Sequence, residues 1–174
     1  MHAYIALLRG INVGGHKKLK MADLKLLFEE LGFKKVHTYI QSGNVVFFSE
    51  EKDGLVEIIS KEIENRYGWE VPVFVKTVAE VKQILTDCPF DESKKTEAYF
   101  MLLASSPKQE LVAAINEISY PNEEFIITDK IIYCYYHNGL GKAKLNNNFF
   151  ENKLKVASTT RNYRTLAKLL EFAK

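Results

Sequence analysis

Only 2 cysteines, 4 prolines and 1 tryptophan occur among the 174 residues. Cys88 and Cys134 belong to no CxxC pair or other ligand spacing. That excludes a disulfide scaffold or a zinc knuckle and reads as two buried, reduced thiols. Few prolines and only 9 glycines exclude collagen-like and low-complexity architectures. No apolar stretch approaches the ~20 residues of a membrane span. The first apolar run, residues 3–8, ends at Arg9 and is too short for a signal-peptide core. A cytoplasmic protein with no membrane partner is therefore expected. No HExxH or comparable His/carboxylate spacing is present, so no metal site is expected. The glycine-bearing loops match neither GxxxxGK[ST] nor GxGxxG, so no cofactor is expected.

What is present is an ordinary globular composition, 47% hydrophobic and 26% charged. The net charge of +2 gives no global field toward nucleic acid. The charge is uneven, however. Residues 9–20 hold Arg9, Lys17, Lys18 and Lys20 and no acid, and residues 138–174 are rich in lysine and arginine.

Hydrophobic periodicity organises the chain. Residues 4–9 (YIALLR) read as a central strand. Met21, Leu24, Leu27, Phe28 and Leu31 recur at helical spacing, with Gly32 as the stop. Residues 35–41 alternate, 42–44 (SGN) are turn residues, and 45–48 form a second strand, which together predict a hairpin. A helix over 54–67 and a strand over 71–77 follow. The order is β-α-β-β-α-β, the ferredoxin-like split unit. The second half nearly repeats it without a sequence repeat: a helix over 78–86, a strand over 97–104, a helix over 107–118, and a hairpin over 124–128 and 131–137. A short helix near 149–154 and a final helix over 161–173 complete the chain. The expected fold class is α+β, with subdomains at residues 1–77 and 78–174.

Three polar patches carry the functional reading. The loop over residues 10–20 is long for a strand-to-helix connection. Its glycines suit an amide nest, and the helix after it has no good cap at Leu19 or Lys20. In a split unit the 41–44 turn emerges beside this loop. The third patch, residues 158–163 (STTRNY), precedes the last helix, with Ser158, Thr159 or Thr160 as its expected cap. Arg9, Asn12, Gly14, Gly15, Lys17, Lys20, Gln41, Ser42, Asn44, Arg161 and Asn162 are thus candidate anion-binding residues. Each also has a structural reading: glycines for turns, Arg9 on loop carbonyls, QSGN as a plain hairpin turn, and Arg161 and Asn162 as a helix-start network. No GxSxG surrounds Ser42, and no catalytic residue is assigned.

Three segments, ALLRGINVGGHKKLKMADL at 6–24, LGFKKVHTYIQSGNVVF at 31–47 and GKAKLNNNFFENKL with TTRNYRTLAKLLE within 141–171, resemble the bacterial family called domain of unknown function 1697. The resemblance implies a two-subdomain α+β protein with a ferredoxin-like N-terminal part, and it implies no catalytic residues. Tyr163 stands where similar sequences carry Trp, and Lys142-Ala143-Lys144 where they carry Arg-Ser-Lys. The expected partner is a phosphorylated small molecule or a nucleotide. The alternatives are an RNA-binding module, which would need exposed aromatics such as Tyr39, Phe47 or Phe48 on an open sheet face, and a protein-interaction module without ligand.

Overall fold

The uninterrupted apolar runs become the inner strands of two sheets. The computed structural model describes residues 1–174, which divide into two units, Met1–Gln83 with Ala167–Lys174, and Ile84–Leu166. In the first unit β1 (His2–Leu8), α1 (Met21–Glu30), β2 (Lys34–Tyr39), β3 (Asn44–Ser49), α2 (Leu55–Tyr67) and β4 (Val73–Thr77) follow one another, and α3 (Val78–Thr86) begins directly after β4. The sheet order is β2-β3-β1-β4 with every neighbouring pair antiparallel, so β1 and β2 run parallel on either side of β3. This is the split β-α-β arrangement that the element order predicts.

On one face of this sheet Tyr4, Ala6 and Leu8 of β1 and Val45 and Phe47 of β3 pack with Leu24, Leu27 and Phe28 of α1 and Leu55, Ile59 and Ile63 of α2. Phe47 is the hub of this layer, with ring centroids 5.7 Å from Tyr4, 5.2 Å from Phe28 and 4.5 Å from Phe33. The opposite face is buried too: Ile5, Leu7 and Val46 are fully inaccessible. That is why β1 reads as an unbroken apolar run instead of an alternating one.

The second unit contains α4 (Glu92–Lys95), β5 (Tyr99–Leu103), α5 (Gln109–Asn116), β6 (Glu123–Ile127), β7 (Ile131–Tyr136), a 3-10 turn (Leu140–Lys142), α6 (Asn147–Leu154) and β8 (Ser158–Asn162). Its sheet order is β6-β7-β5-β8, again antiparallel throughout. From β5 onward the element order and the strand order both duplicate the first unit. The core on one face gathers Met101, Leu103, Ile132, Cys134, Tyr136, Phe150 and Leu154. Tyr136 donates its hydroxyl to Leu145 O at 2.5 Å, which satisfies the phenol inside the core.

One expectation about the chain's end is corrected. Ser158, Thr159 and Thr160 do not cap a helix; they pair with Leu103, Leu102 and Met101 as part of β8. Arg161 therefore lies in a strand, not in a first helical turn. The cap of α7 (Tyr163–Phe172) is Asn162, whose Oδ1 accepts from Thr165 N–H at 2.9 Å. The final helix is shared between the units, its last residues from Ala167 onward belonging to the first. There Phe172 stacks on His37 at 5.9 Å and meets Tyr39 edge-on at 5.9 Å.

Candidate functional site

The long loop of the first unit folds back on itself. Asn12 N–H donates to Lys17 O at 3.1 Å and His16 N–H to Val13 O at 3.0 Å. Gly14 and Gly15 occupy the two central positions with φ of +57° and +79°. Two successive positive φ values define a type I′ turn, which side-chain-bearing residues adopt only with strain. The glycines therefore build a small hairpin tongue in the first instance.

Asn12 holds this tongue in place. Its Nδ2 donates to Leu19 O and to Gln41 O, both at 2.8 Å, and its Oδ1 accepts from Leu19 N–H at 2.8 Å. The two bonds to Leu19 close the loop, and the bond to Gln41 ties it to the β2–β3 turn. Leu8 N–H also donates to Gly43 O at 2.8 Å. Gly43 sits so close to the first strand that a Cβ there would lie 2.7 Å from Leu8 Cβ and 2.9 Å from Ile11 Cδ1. The two loops are thus neighbours at one sheet edge, as the topology predicts.

Asn44 is fully buried, and its Nδ2 donates to Tyr39 O at 3.0 Å and to Ser42 Oγ at 2.9 Å. Asn12 and Asn44 thus hold the scaffold, and their amides are engaged with protein groups. Gln41 and Ser42 lie exposed on the turn. Lys17 Nζ donates to Glu70 O at 2.6 Å and bridges the tongue to the approach of β4. Arg9 is half-buried, and its N–H donates to Pro72 O at 2.9 Å. His16, Lys18 and Lys20 are exposed. Lys20 is the N-cap of α1 with extended backbone and no side-chain cap bond, and Asp23 is the only acid in the first turn.

Arg161 and Asn162 are described within the second unit. Arg161 is 8% exposed, and its Nη1 donates to Thr159 Oγ1 and Thr160 O, both at 2.9 Å. Asn162 caps α7 and lines a cavity of about 320 Å³ with Glu97, Tyr99, His137 and Arg164. That cavity carries both signs of charge.

Both cysteines are free and buried. Burial pushes the Cys134 thiol up to about 12 and also raises Cys88, so neither presents a ready thiolate. Burial likewise raises the Tyr133 phenol to about 12. No group of three His, Cys, Asp or Glu side chains could hold a metal ion. No helix is long and apolar enough to cross a membrane.

Comparison with known proteins places this scaffold. Residues 1–133 match the family described as Protein of unknown function (DUF1697). The chain belongs to that family. The matched span contains the whole tongue and the β2–β3 turn and ends before the basic segment at 141–171. Among solved structures, the conserved bacterial protein SP0830 from Streptococcus pneumoniae is similar, with a TM-score of 0.74 at 22% sequence identity over 99% of both chains. At that identity the likeness speaks for the fold. No curated protein matches the chain. The family's description assigns no activity, so the residues carry the functional argument.

Proposed function

We propose that the tongue and the β2–β3 turn of the first unit bind the phosphate of a small phosphorylated metabolite or a nucleotide. The observation that carries this reading is the start of α1. It lacks a side-chain cap and is flanked by exposed Lys18 and Lys20, on a loop that Asn12 holds in one shape. Helix N-terminal amides and adjoining ammonium groups favour an anion. Because the loop is already ordered, less conformational entropy is lost on binding. Lys17 and Arg9 add positive charge at the same edge, and Gly14, Gly15, Gln41 and Ser42 supply neutral donors. Charge-assisted bonds contribute roughly 1.5–3 kcal/mol each before association costs, which supports affinities of about millimolar to micromolar.

Arg161 and Asn162 take structural roles in this reading, as a strand-borne guanidinium bound to Thr159 and Thr160 and as the cap of α7. RNA binding has weaker support. Phe47 is fully buried, Phe48 is half-buried under Lys35 Nζ at 5.1 Å from its ring, and Tyr39 packs on Phe172. No stacking platform is offered by these three rings. Cytoplasmic residence fits the two free thiols.

Titrating pyrophosphate and ATP into the 15N-labelled chain tests the proposal. Shifts should centre on residues 14–23 and weaken as salt is raised, and K18A/K20A should reduce affinity about tenfold or more. Unchanged spectra at ~10 mM ligand, beyond the expected range, or undiminished binding in the double variant, would overturn it.

A further inference from the structure

The duplicated scaffold places a cavity at the same sheet end in each unit, where the central strand starts, an edge strand stops and a helix begins. The registers match the two ends residue by residue. Tyr4 pairs with Thr77 and α3 begins at Val78, while Tyr99 pairs with Asn162 and α7 begins at Tyr163. Tyr99 and Asn162 thus take the places of Tyr4 and Thr77, and Arg164 takes that of Ala79. In the first unit this helix start is closed by the protein's own groups. Thr77 Oγ1 accepts from Glu80 N–H at 3.1 Å, Glu80 Oε2 accepts from Thr77 N–H at 2.8 Å, and Ala79 brings no polar side chain.

The cavity of the second unit, about 320 Å³, has a different wall. Glu97, just before β5, and Arg164, at the second position of α7, both line it. Neither the Glu97 carboxylate nor the Arg164 guanidinium has a partner within the protein. Asn162 uses its Oδ1 on the Thr165 N–H, which leaves its Nδ2 over. Tyr163 N–H donates to Ala98 O at 3.1 Å, so the Arg164 N–H next to it is a first-turn amide without an intrahelical acceptor. Two other polar groups of the wall are already occupied: His137 Nε2 lies 3.0 Å from Glu124 Oε1, and the Tyr136 hydroxyl donates to Leu145 O.

Charge selects the guest. An anion alone would sit beside the Glu97 carboxylate, and a cation alone beside the Arg164 guanidinium, so each meets repulsion and leaves one protein charge unpaired. A molecule with both signs satisfies both. The volume is at the low end of small-molecule sites, which run from about 300 to 1,000 Å³, so the guest is compact. We propose that this cavity binds a free α-amino acid. Its carboxylate takes the Arg164 guanidinium, the Arg164 N–H and Asn162 Nδ2, at the helix end that favours negative charge. Its ammonium takes Glu97, and its side chain lies toward the Tyr99 ring. The site belongs to the second unit and does not depend on the phosphate proposed for the first.

The test is a titration of the 15N-labelled full chain with L-methionine, whose unbranched side chain adapts to irregular space. N-acetyl-L-methionine, which lacks the ammonium, and L-methioninamide, which lacks the carboxylate, are titrated beside it. L-methionine should shift the amides of Glu97, Tyr99, His137 and Arg164. Each analogue should bind about tenfold or more weakly, as should L-methionine to Glu97→Gln or Arg164→Gln. Both residues are exposed, so the two variants should keep the wild-type spectrum elsewhere. Three results would overturn the proposal: no shift at these amides with ~20 mM L-methionine, well above a millimolar Kd, equal binding of either analogue, or undiminished binding in either variant.

Discussion

The two units share one wiring and spend their loops differently. In the first unit the long connection is residues 9–20, between the first strand and the first helix; in the second the equivalent connection is only residues 104–108. There the length moves to residues 137–146, between β7 and α6. The loops leave antiparallel neighbouring strands, β1 in one unit and the counterpart of β3 in the other, so they mark opposite ends of the common scaffold. The cores differ in kind as well. The first is a layer of aliphatic and phenylalanine side chains around Phe47 that also takes in the Tyr4 ring, whereas the second admits the Cys134 thiol and the Tyr136 hydroxyl. Topology repeats here because the inner strands are apolar on both faces. Function is free to diverge because loops at either end leave those strands untouched.

The strongest way to separate the units is to empty each core. Phe47→Ala should cost about 3–5 kcal/mol, since three ring partners lose contact together. Tyr136→Phe in the second unit should cost about 1–3 kcal/mol, because Leu145 O loses its buried donor while the ring volume remains. Hydrogen exchange read separately over β3 and β7 checks both. Equal costs would show that the phenol matters more than packing suggests.

The hairpin turns offer the next contrast. Gly43→Ala should cost about 2–4 kcal/mol, combining left-handed backbone at φ +77° with the close approach to Leu8 and Ile11. At the corresponding turn of the second unit Asp129→Ala should stay within about 0.5 kcal/mol, because Asp129 is exposed. Thermal denaturation of the pair measures the difference.

These contrasts also show what the sequence discloses. β1 and β5 were legible as unbroken apolar runs, and α1 and α2 by their spacing, because burial on a sheet or helix face leaves a period. β8 was not legible. STTRN is short and polar, and it becomes a strand only by pairing with Tyr99 to Leu103, far away in the chain. The adjacency of the two first-unit loops followed from topology, but the duties of Asn12 and Asn44 did not. An amide that bonds a backbone carbonyl and one that awaits a ligand are the same letter. Arg161 was misplaced for a related reason: helical spacing continues through Tyr163 and Leu166, and nothing local shows that the strand ends at Asn162.

Asn12 gives a smaller, sharper comparison. Asn12→Ala should cost about 1–3 kcal/mol, since Leu19 N–H and O and Gln41 O all lose their partner. It should also speed hydrogen exchange at residues 12–19 more than elsewhere. Asn147→Ala in the second unit removes bonds to two hydroxyls, which can turn to other acceptors, so its cost should be nearer the lower end. If Asn12→Ala leaves exchange in the tongue unchanged, the loop is not held by this amide.

The smallest effect concerns charge at the second unit's edge. Lys94 Nζ lies 2.7 and 2.9 Å from the Glu124 oxygens, and His137 Nε2 lies 3.0 Å from Oε1. The Lys94 bond, then the His137 bond, hold the Glu124 carboxyl below its usual 4.5, against a small opposing effect of burial. Donating to Glu124 raises Lys94 above its usual 10.5. A depressed acid stabilises the fold above its unfolded pKa, and that contribution fades as pH falls through the folded value. A raised base stabilises below its unfolded pKa and fades as pH rises through the folded value. The pair therefore contributes between about pH 5 and 10 and is lost toward either extreme. Both groups are largely solvated, so the contribution is small and screened. Glu124→Gln should lower the melting temperature slightly at pH 7, leave it unchanged relative to wild type near pH 3, and lose its effect in 1 M salt, where the screening length is about 3 Å. The first unit has its own cross-element ion pair, Arg66 to Glu30 at 2.5 Å. Glu30→Gln should show the same salt sensitivity without involving a histidine. A penalty for Glu124→Gln that persists in high salt would mean that Glu124 acts through its hydrogen bonds and not through its charge.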